Sequence, residues 1–488
     1  MGIVLNQSIK NTLTLILGFS IGGVNALFLY TRFLEVDYYG LIIFLLSTAN
    51  ILLPLVAFGM QHSVVKYFSS YKDKIQKDSL LTWSLVFPLF IVVPIAVIGI
   101  FTYGTISDWV SERNPLLKSY THLIFWSAIF MAYFEIFYAW TKVQLDSVFG
   151  NFVREIFARL CASVLLFAVF FKWISPEQFI YGITIAYFLR MLIMMLYALK
   201  LYTPKFTLKQ PQNFKEISRY SLYLILAGSA GTILLEIDKF MIPQIEMIAE
   251  VAYYSVGVYI ASVVAIPSRA MQQITNPITA KYLNENNLPE VEKLYKQSSI
   301  NLLVVGGLLF LLINLNIVDM YKIIDRPEYA VGVLIVLMIS FSELYKLALG
   351  INGAILTNSK YYKMFFYFSI GMATSVILLN KILIEKIGID GAALATLLTI
   401  ILFNTIKIGY IKKKFNMQPF SSKTLLVLVA ILLLYLGFYF VSVSDNPFIN
   451  IILKSVLLIL IYLFFVIKSK VSKDINELIY KFLKKKTS

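Results

Sequence analysis

Six ionisable side chains stand inside or at the ends of long apolar stretches: Arg32, Glu135, Arg190, Arg269, Glu343 and Lys346. A charge held in hydrocarbon costs several kcal/mol unless it is paired or faces water, so each is a candidate position on a pathway. Guanidinium presents a planar fork that binds phosphate oxygens in pairs, which makes Arg269, Arg190 and Arg32 candidate binders of an anionic, phosphate-bearing substrate, with Lys346 as a fourth cation. Pro267 predicts a kink just before Arg269. The carboxylates Glu343 and Glu135 suit another task, taking up H⁺ or Na⁺ so that movement is coupled to an ion gradient. Structural roles compete with these. Glu343 stands three residues before Lys346 and Glu155 four before Arg159, spacings that pair neighbours on one helix face. Arg32, Arg269 and Lys454 are near enough to span ends to snorkel. Tyr133, Phe134, Phe137 and Tyr138 flank Glu135 and could stack on sugars, although 31 Tyr and 38 Phe in one chain mostly reflect packing and interfacial belts.

Other chemistry is excluded by what is missing. Cys161 is the sole cysteine, so no intramolecular disulfide or cysteine-ligated cluster is expected. His62 and His122 stand far apart, and neither a metal site nor a cofactor is expected.

The elements that must position these residues are membrane helices. A chain of 488 residues that is 59% hydrophobic and 14% charged, with mean hydropathy +0.77, cannot hide its apolar side chains in a soluble core. Apolar stretches of bilayer-spanning length number fourteen, at about 11–31, 39–60, 80–104, 118–140, 152–171, 177–199, 217–237, 251–273, 298–318, 331–355, 362–384, 388–410, 423–443 and 448–467. The first, which comes after Lys10 without a small-residue cleavage site, is expected to remain as a span. The net charge of +16 is scattered through short loops, which argues for membrane topology and against nucleic acid. With both termini in the cytoplasm, about 30 basic residues fall inside and about 9 outside.

An internal repeat orders the spans. Val36 to Tyr67 returns as Val251 to Tyr282, both opening on Tyr-Tyr and closing on Lys-Tyr, with about seven of 32 positions identical. Phe134-Glu135-Ile136-Phe137 is answered by Ser342-Glu343-Leu344-Tyr345, which places the two carboxylates equivalently, facing one cavity between two lobes. The expected division is a six-helix lobe at 1–200, a cytoplasmic linker at 201–216 containing Pro204 and Pro211, a second six-helix lobe at 217–411, helices 13 and 14 at 412–467, and a basic cytoplasmic tail at 468–488. In that tail Ile475, Leu478, Ile479, Phe482 and Leu483 predict the apolar side of a short helix on the anionic inner surface.

Asp238-Lys239-Phe240-Met241-Ile242, with Tyr254-Ser255-Val256-Gly257-Val258-Tyr259-Ile260-Ala261 beyond it, resembles the seventh-to-eighth helix signature of the multidrug/oligosaccharidyl-lipid/polysaccharide flippase superfamily, in its polysaccharide-exporter or O-antigen flippase branch. Tyr39-Gly40-Leu41 resembles that family's second-helix start, and Gly388-Ile389-Asp390-Gly391-Ala392-Ala393-Leu394-Ala395-Thr396 its twelfth. Pro243-Gln244 departs from it where a glycine-containing turn is more usual. The resemblance implies a MATE-like, all-α membrane fold of about 14 transmembrane helices, with two lobes around a central cavity and two further C-terminal helices. It implies alternating access that carries an undecaprenyl-diphosphate-linked glycan, such as an O-antigen repeat unit, across a bacterial inner membrane, and it also admits lipid II and teichoic-type substrates. Partners on this reading are the glycan lipid, the bilayer and a polysaccharide polymerase downstream. A monomer is expected, since the repeats complete both lobes within one chain. A cation-coupled multidrug exporter is the alternative, but acids should then dominate the cavity, and here the intramembrane cations outnumber them. A glycosyltransferase or glycan polymerase needs an extended outer loop that this chain lacks, so no enzymatic activity is expected.

Overall fold

The computed structural model describes residues 2–477. Leu478, Ile479, Phe482 and Leu483, on which the amphipathic tail depends, lie outside the described residues. Among the residues described, the regular elements are all helical. By length and composition twelve helices can cross a membrane.

Two compact units divide the chain, residues 1–255 and 256–488. In the first, α1 (Gly2–Val24) continues through a π-helical turn, Asn25–Leu29, to Tyr30–Phe33. Then come α2 (Val36–Val56), α3 (Met60–Tyr67), α4 (Lys74–Val86), α5 (Leu89–Ser111) and α6 (His122–Val143). Next, α7 (Val148–Phe152) runs through a second π turn, Val153–Phe157, into α8 (Ala158–Phe170), and then α9 (Pro176–Leu201) and α10 (Phe214–Ile245) complete the series. The fifth expected span, 152–171, falls on this segment, which is not among the twelve: it carries Arg154, Glu155 and Arg159, whereas Lys10–Phe33, which also runs through a π turn, is one of them.

Trp140, Phe134 and Met60 share an apolar core in this unit, and Phe179 and Phe44 are buried as fully, all five under 2% exposed. Close backbone approach needs glycine at Gly40, where an added Cβ would collide with the carbonyl oxygen of Ile248. The segment 202–213 lies along α4 instead of hanging free. Tyr202 donates to Asp78 (2.6 Å), Trp83 Nε1 to the Lys209 carbonyl (3.2 Å), and the Gln212 N–H to Gln76 (2.9 Å).

Asn114, 3% exposed, fastens the loop between α5 and α6 to the end of α10. Its amide donates to the carbonyls of Pro243 (2.6 Å) and Glu246 (2.8 Å), while its oxygen accepts from the Ile248 N–H (2.8 Å). Carbonyls at a helix end have no partner within the helix, so one side chain supplies what the α10 terminus lacks. At about 1 kcal/mol per net bond, Asn114→Ala is expected to cost about 3 kcal/mol, read as a lowered Tm of purified protein in detergent.

The helix α11 (Ile248–Ser262) passes from the first unit into the second, which then holds α12 (Ile266–Asn284), α13 (Leu288–Asn314), α14 (Ile317–Ile324), α15 (Val333–Ala348), α16 (Asn352–Thr357), α17 (Tyr362–Phe415), α18 (Ser422–Tyr439) and α19 (Pro447–Ser469). Both members of the sequence repeat consist of a helix, a three-residue break and a second helix, α2 and α3 in one, α11 and α12 in the other. At 54 residues α17 would be about 80 Å long if straight, far more than a bilayer needs. It bends at Ile387 and Gly388, where Gly388 takes φ 61° and ψ −142°, a conformation open to glycine alone. Its arms then run antiparallel. Gly371 lies against Phe403, the Ser375 hydroxyl is 3.4 Å from that of Thr399, and Gly391 abuts the Leu383 carbonyl. The expected stretches 362–384 and 388–410 both fall within α17, and 152–171 falls on the α7–α8 segment, so twelve helices and not fourteen are long and apolar enough to span.

Lys454 does not snorkel. It is 4% exposed and donates to the Leu315 carbonyl at the end of α13 (2.8 Å), while Asn450 donates to Asp319 (2.5 Å).

Candidate functional site

The first unit encloses a cavity of about 710 Å³. Helical spacing explains its lining. From α6 come Met131, Glu135, Ala139 and Lys142, close to one face at steps of four, four and three, and from α3 come His62 and Lys66. Tyr187 and Arg190 reach in from α9, Gly228 and Thr232 from α10, and Asn50, Leu53 and Pro54 from α2. The π turn contributes Arg154 and Glu155, and α8 contributes Arg159. A π turn inserts an extra residue per turn, which re-aims the side chains beyond it, and such turns recur at functional sites.

A side chain from the turn that follows α1 reaches this segment across the unit. Asn25, in the other π turn, donates to the Arg159 carbonyl (2.8 Å) and accepts from Ser163 (2.7 Å). Gly18 of α1 lets the arginine through, since an added Cβ would sit 2.7 Å from Arg159 Nη1.

Five basic side chains and two carboxylates line this cavity. Arg154 Nε lies 3.5 Å from Glu135 and 3.8 Å from Glu155, and Arg159 Nη1 lies 3.0 Å from Glu155. The two carboxylates are thus committed to two arginines, and the remaining cations rest on aromatic faces. The Arg190 guanidinium lies 3.9 Å from the Phe134 ring centre, Lys142 Nζ 3.8 Å from that of Tyr138, and Lys66 Nζ 3.8 Å from that of Tyr220. Among the described residues none of these three has a carboxylate within 4 Å. Arg190 is only 9% exposed, and its Nε has no hydrogen-bond partner. A cation on a ring face gains about 0.5–2 kcal/mol, leaving its donors free for an incoming anion.

Of the six residues expected at a site, Arg190 and Glu135 meet in this cavity. Arg32 is exposed at the end of the first span, 5.8 Å from the Phe28 ring centre, and is not among the lining residues. The other three belong to the second unit. Arg269 is exposed on α12, just after Pro267 in its first turn, and Lys346 Nζ lies 2.5 Å from Glu343 Oε1, the pairing that their spacing predicts. Phe134, Phe137 and Tyr138 are buried in the core, where the rings of Phe134 and Tyr138 carry Arg190 and Lys142. Lys142 and Arg154 escaped the sequence reading. Lys142 shares a helix face with Glu135 seven residues earlier and could have been found that way; Arg154 depends on a π turn that leaves no mark in composition.

The chain belongs to the polysaccharide biosynthesis protein family, whose model matches residues 8–270, more than half its length. Among solved structures it is similar to the lipid II flippase MurJ in an inward closed conformation, with a TM-score of 0.72 at 15% identity over 96% of this chain and 100% of that one. It is also similar to an inward-facing conformation of a multidrug resistance MATE family transporter of the MOP superfamily, with a TM-score of 0.61 at 12% identity over 83% of this chain and 94% of that one. An outward-facing conformation gives 0.56 at 13% identity over 84% and 95%. At such identities the likeness establishes the fold, an all-helical membrane architecture of the flippase and MATE type. No curated protein matches the sequence.

Proposed function

We propose that this protein is a flippase that carries a polyprenyl-diphosphate-linked oligosaccharide, the repeat unit of a surface polysaccharide, from the cytoplasmic to the outer face of a bacterial inner membrane by alternating access. One observation carries the reading: the cavity holds Arg190, Lys142 and Lys66 on aromatic faces, with no carboxylate within 4 Å of any of them among the described residues. A diphosphate supplies the anion that this arrangement lacks, and guanidinium grips it in pairs. Arg269, Lys346 and Arg32 are proposed as further contacts along the route.

Glu135 and Glu343 are proposed to take up the coupling cation, H⁺ or Na⁺, when their partners Arg154 and Lys346 turn to the substrate. The moving parts are lobes of residues 1–200 and 217–411, joined by 201–216 and succeeded by the helices of 412–467, with both termini in the cytoplasm. The protein works as a monomer and catalyses no covalent step; a polymerase acts on the delivered glycan.

The test tracks polyprenyl-diphosphate-linked oligosaccharide in cells lacking the gene, with wild type, Arg190→Ala or Arg269→Ala restored at equal expression. The expected outcome is accumulation at the cytoplasmic face, relieved by wild type and not by Arg190→Ala. Unchanged glycan export together with new sensitivity to cationic drugs would replace this reading with the multidrug one.

A further inference from the structure

We infer that a second site in the first unit, an apolar groove behind α5, holds the polyprenyl chain of the lipid whose head occupies the cationic cavity. The inference rests on the flippase reading above and adds to it where the hydrocarbon goes.

The groove measures about 530 Å³ and is lined almost wholly by apolar and aromatic side chains. One wall is a stripe along α5 in which Ile95, Ala96, Gly99, Ile100, Tyr103 and Ile106 recur at near-helical spacing. Thr48 and Leu52 of α2, Phe125 and Trp126 of α6, and Phe240 of α10 form the others.

α5 stands away from its neighbours over most of its length. Its polar ties are at one end, where Ser107 donates to the Lys118 carbonyl (3.2 Å) and Asp108 pairs with Lys118 (2.7 Å). Further back along the helix, an added Cβ on Gly99 would meet nothing within 4 Å, and Ile100 and Phe101 are 77% and 82% exposed. Every lining helix is long enough and apolar enough to span the bilayer, so a hydrocarbon chain is the chemistry that fills the groove.

Its position selects which chain. α2, α6 and α10 wall both the groove and the cationic cavity: α2 turns Thr48 and Leu52 to the groove and Asn50, Leu53 and Pro54 to the cavity. On α10, Phe240 of the groove lies eight residues beyond Thr232 of the cavity, about 12 Å along the axis at 1.5 Å per residue. A lipid with a diphosphate head and a long chain engages both places at once, and the second contact is then intramolecular. A membrane phospholipid, lacking a head that fits the cavity, gains only the groove.

The test places the photoreactive residue p-benzoyl-phenylalanine at Ala96 in the groove, or at exposed Phe101 as a control. The protein is reconstituted in phosphatidylethanolamine and phosphatidylglycerol nanodiscs containing tritiated undecaprenyl diphosphate. Labelling at Ala96 should exceed that at Phe101 at least tenfold, and unlabelled undecaprenyl diphosphate should displace it while added phospholipid does not. Gly99→Trp, which fills open space, should cut wild-type affinity for undecaprenyl diphosphate about tenfold and leave that for soluble farnesyl diphosphate unchanged. Equal labelling at the two positions, or displacement by phospholipid, overturns the groove site and leaves the cavity reading intact. Failure of wild-type protein to bind farnesyl diphosphate at all overturns the cavity reading instead.

Discussion

Arg190→Ala is expected to weaken binding of a soluble polyprenyl diphosphate, such as farnesyl diphosphate, by about 10- to 100-fold. A hydrogen bond to a charged group contributes about 1.5–3 kcal/mol, and the Nε of Arg190 has no hydrogen-bond partner. Arg190→Lys should recover part of the loss, since it keeps the charge but not the fork. Titration calorimetry on the purified protein measures both. The fold should largely survive, because the arginine's one strong neighbour is the Phe134 ring and not a buried carboxylate left behind uncompensated. Unchanged affinity in a well-folded Arg190→Ala protein would remove the cavity's principal phosphate ligand from the argument.

Glu135→Gln should act in the opposite direction. The carboxylate occupies Arg154 at 3.5 Å and so competes with any anion entering the cavity. Unit charges ~8 Å apart interact by about 2 kcal/mol at an effective dielectric of 20, so its neutralisation should tighten diphosphate binding by about tenfold after screening by cavity water. Transport should slow at the same time, because product release requires an anion to return to Arg154, and the amide does so poorly. Affinity is read by the same calorimetry and transport by glycan export in cells. A Glu135→Gln protein that binds diphosphate more weakly, or that loses binding of an organic cation, would point to a substrate of the other charge.

How far the chain could be read beforehand depends on the scale of each signal. The long apolar stretches required helices, and most came out close to their expected limits, because twenty hydrophobic residues in succession have few alternatives in a bilayer. The bend at Ile387 and Gly388 was legible as the boundary between the expected spans 362–384 and 388–410, and the backbone leaves helical geometry at those two residues. The site was legible in part. Glu135 and Arg190 stood out as charges in apolar surroundings, and both line the one cavity. Arg159 carried the same signal, yet its pairing with Glu155 gave an adequate local explanation, and Arg154 went unread because periodicity assumes 3.6 residues per turn where the chain has a π turn. Nor does any sequence pattern tell that Arg190 finds a ring face while Arg154 finds a carboxylate. That choice is made by neighbours 19 to 56 residues away in the chain.

The paired π turns at 25–29 and 153–157, joined by Asn25, have an implication for how this family can vary. Each amounts to one residue more than a regular helix would hold. Deleting a single residue from the second would restore the ordinary register and rotate the helix beyond it by about 100° relative to the helix before it. Arg154 and Arg159 could then no longer share one wall, and Asn25 would lose the Arg159 carbonyl that it now reaches at 2.8 Å. A one-codon insertion or deletion, with every remaining side chain unchanged, is therefore enough to reset the charge that such a cavity presents to its cargo.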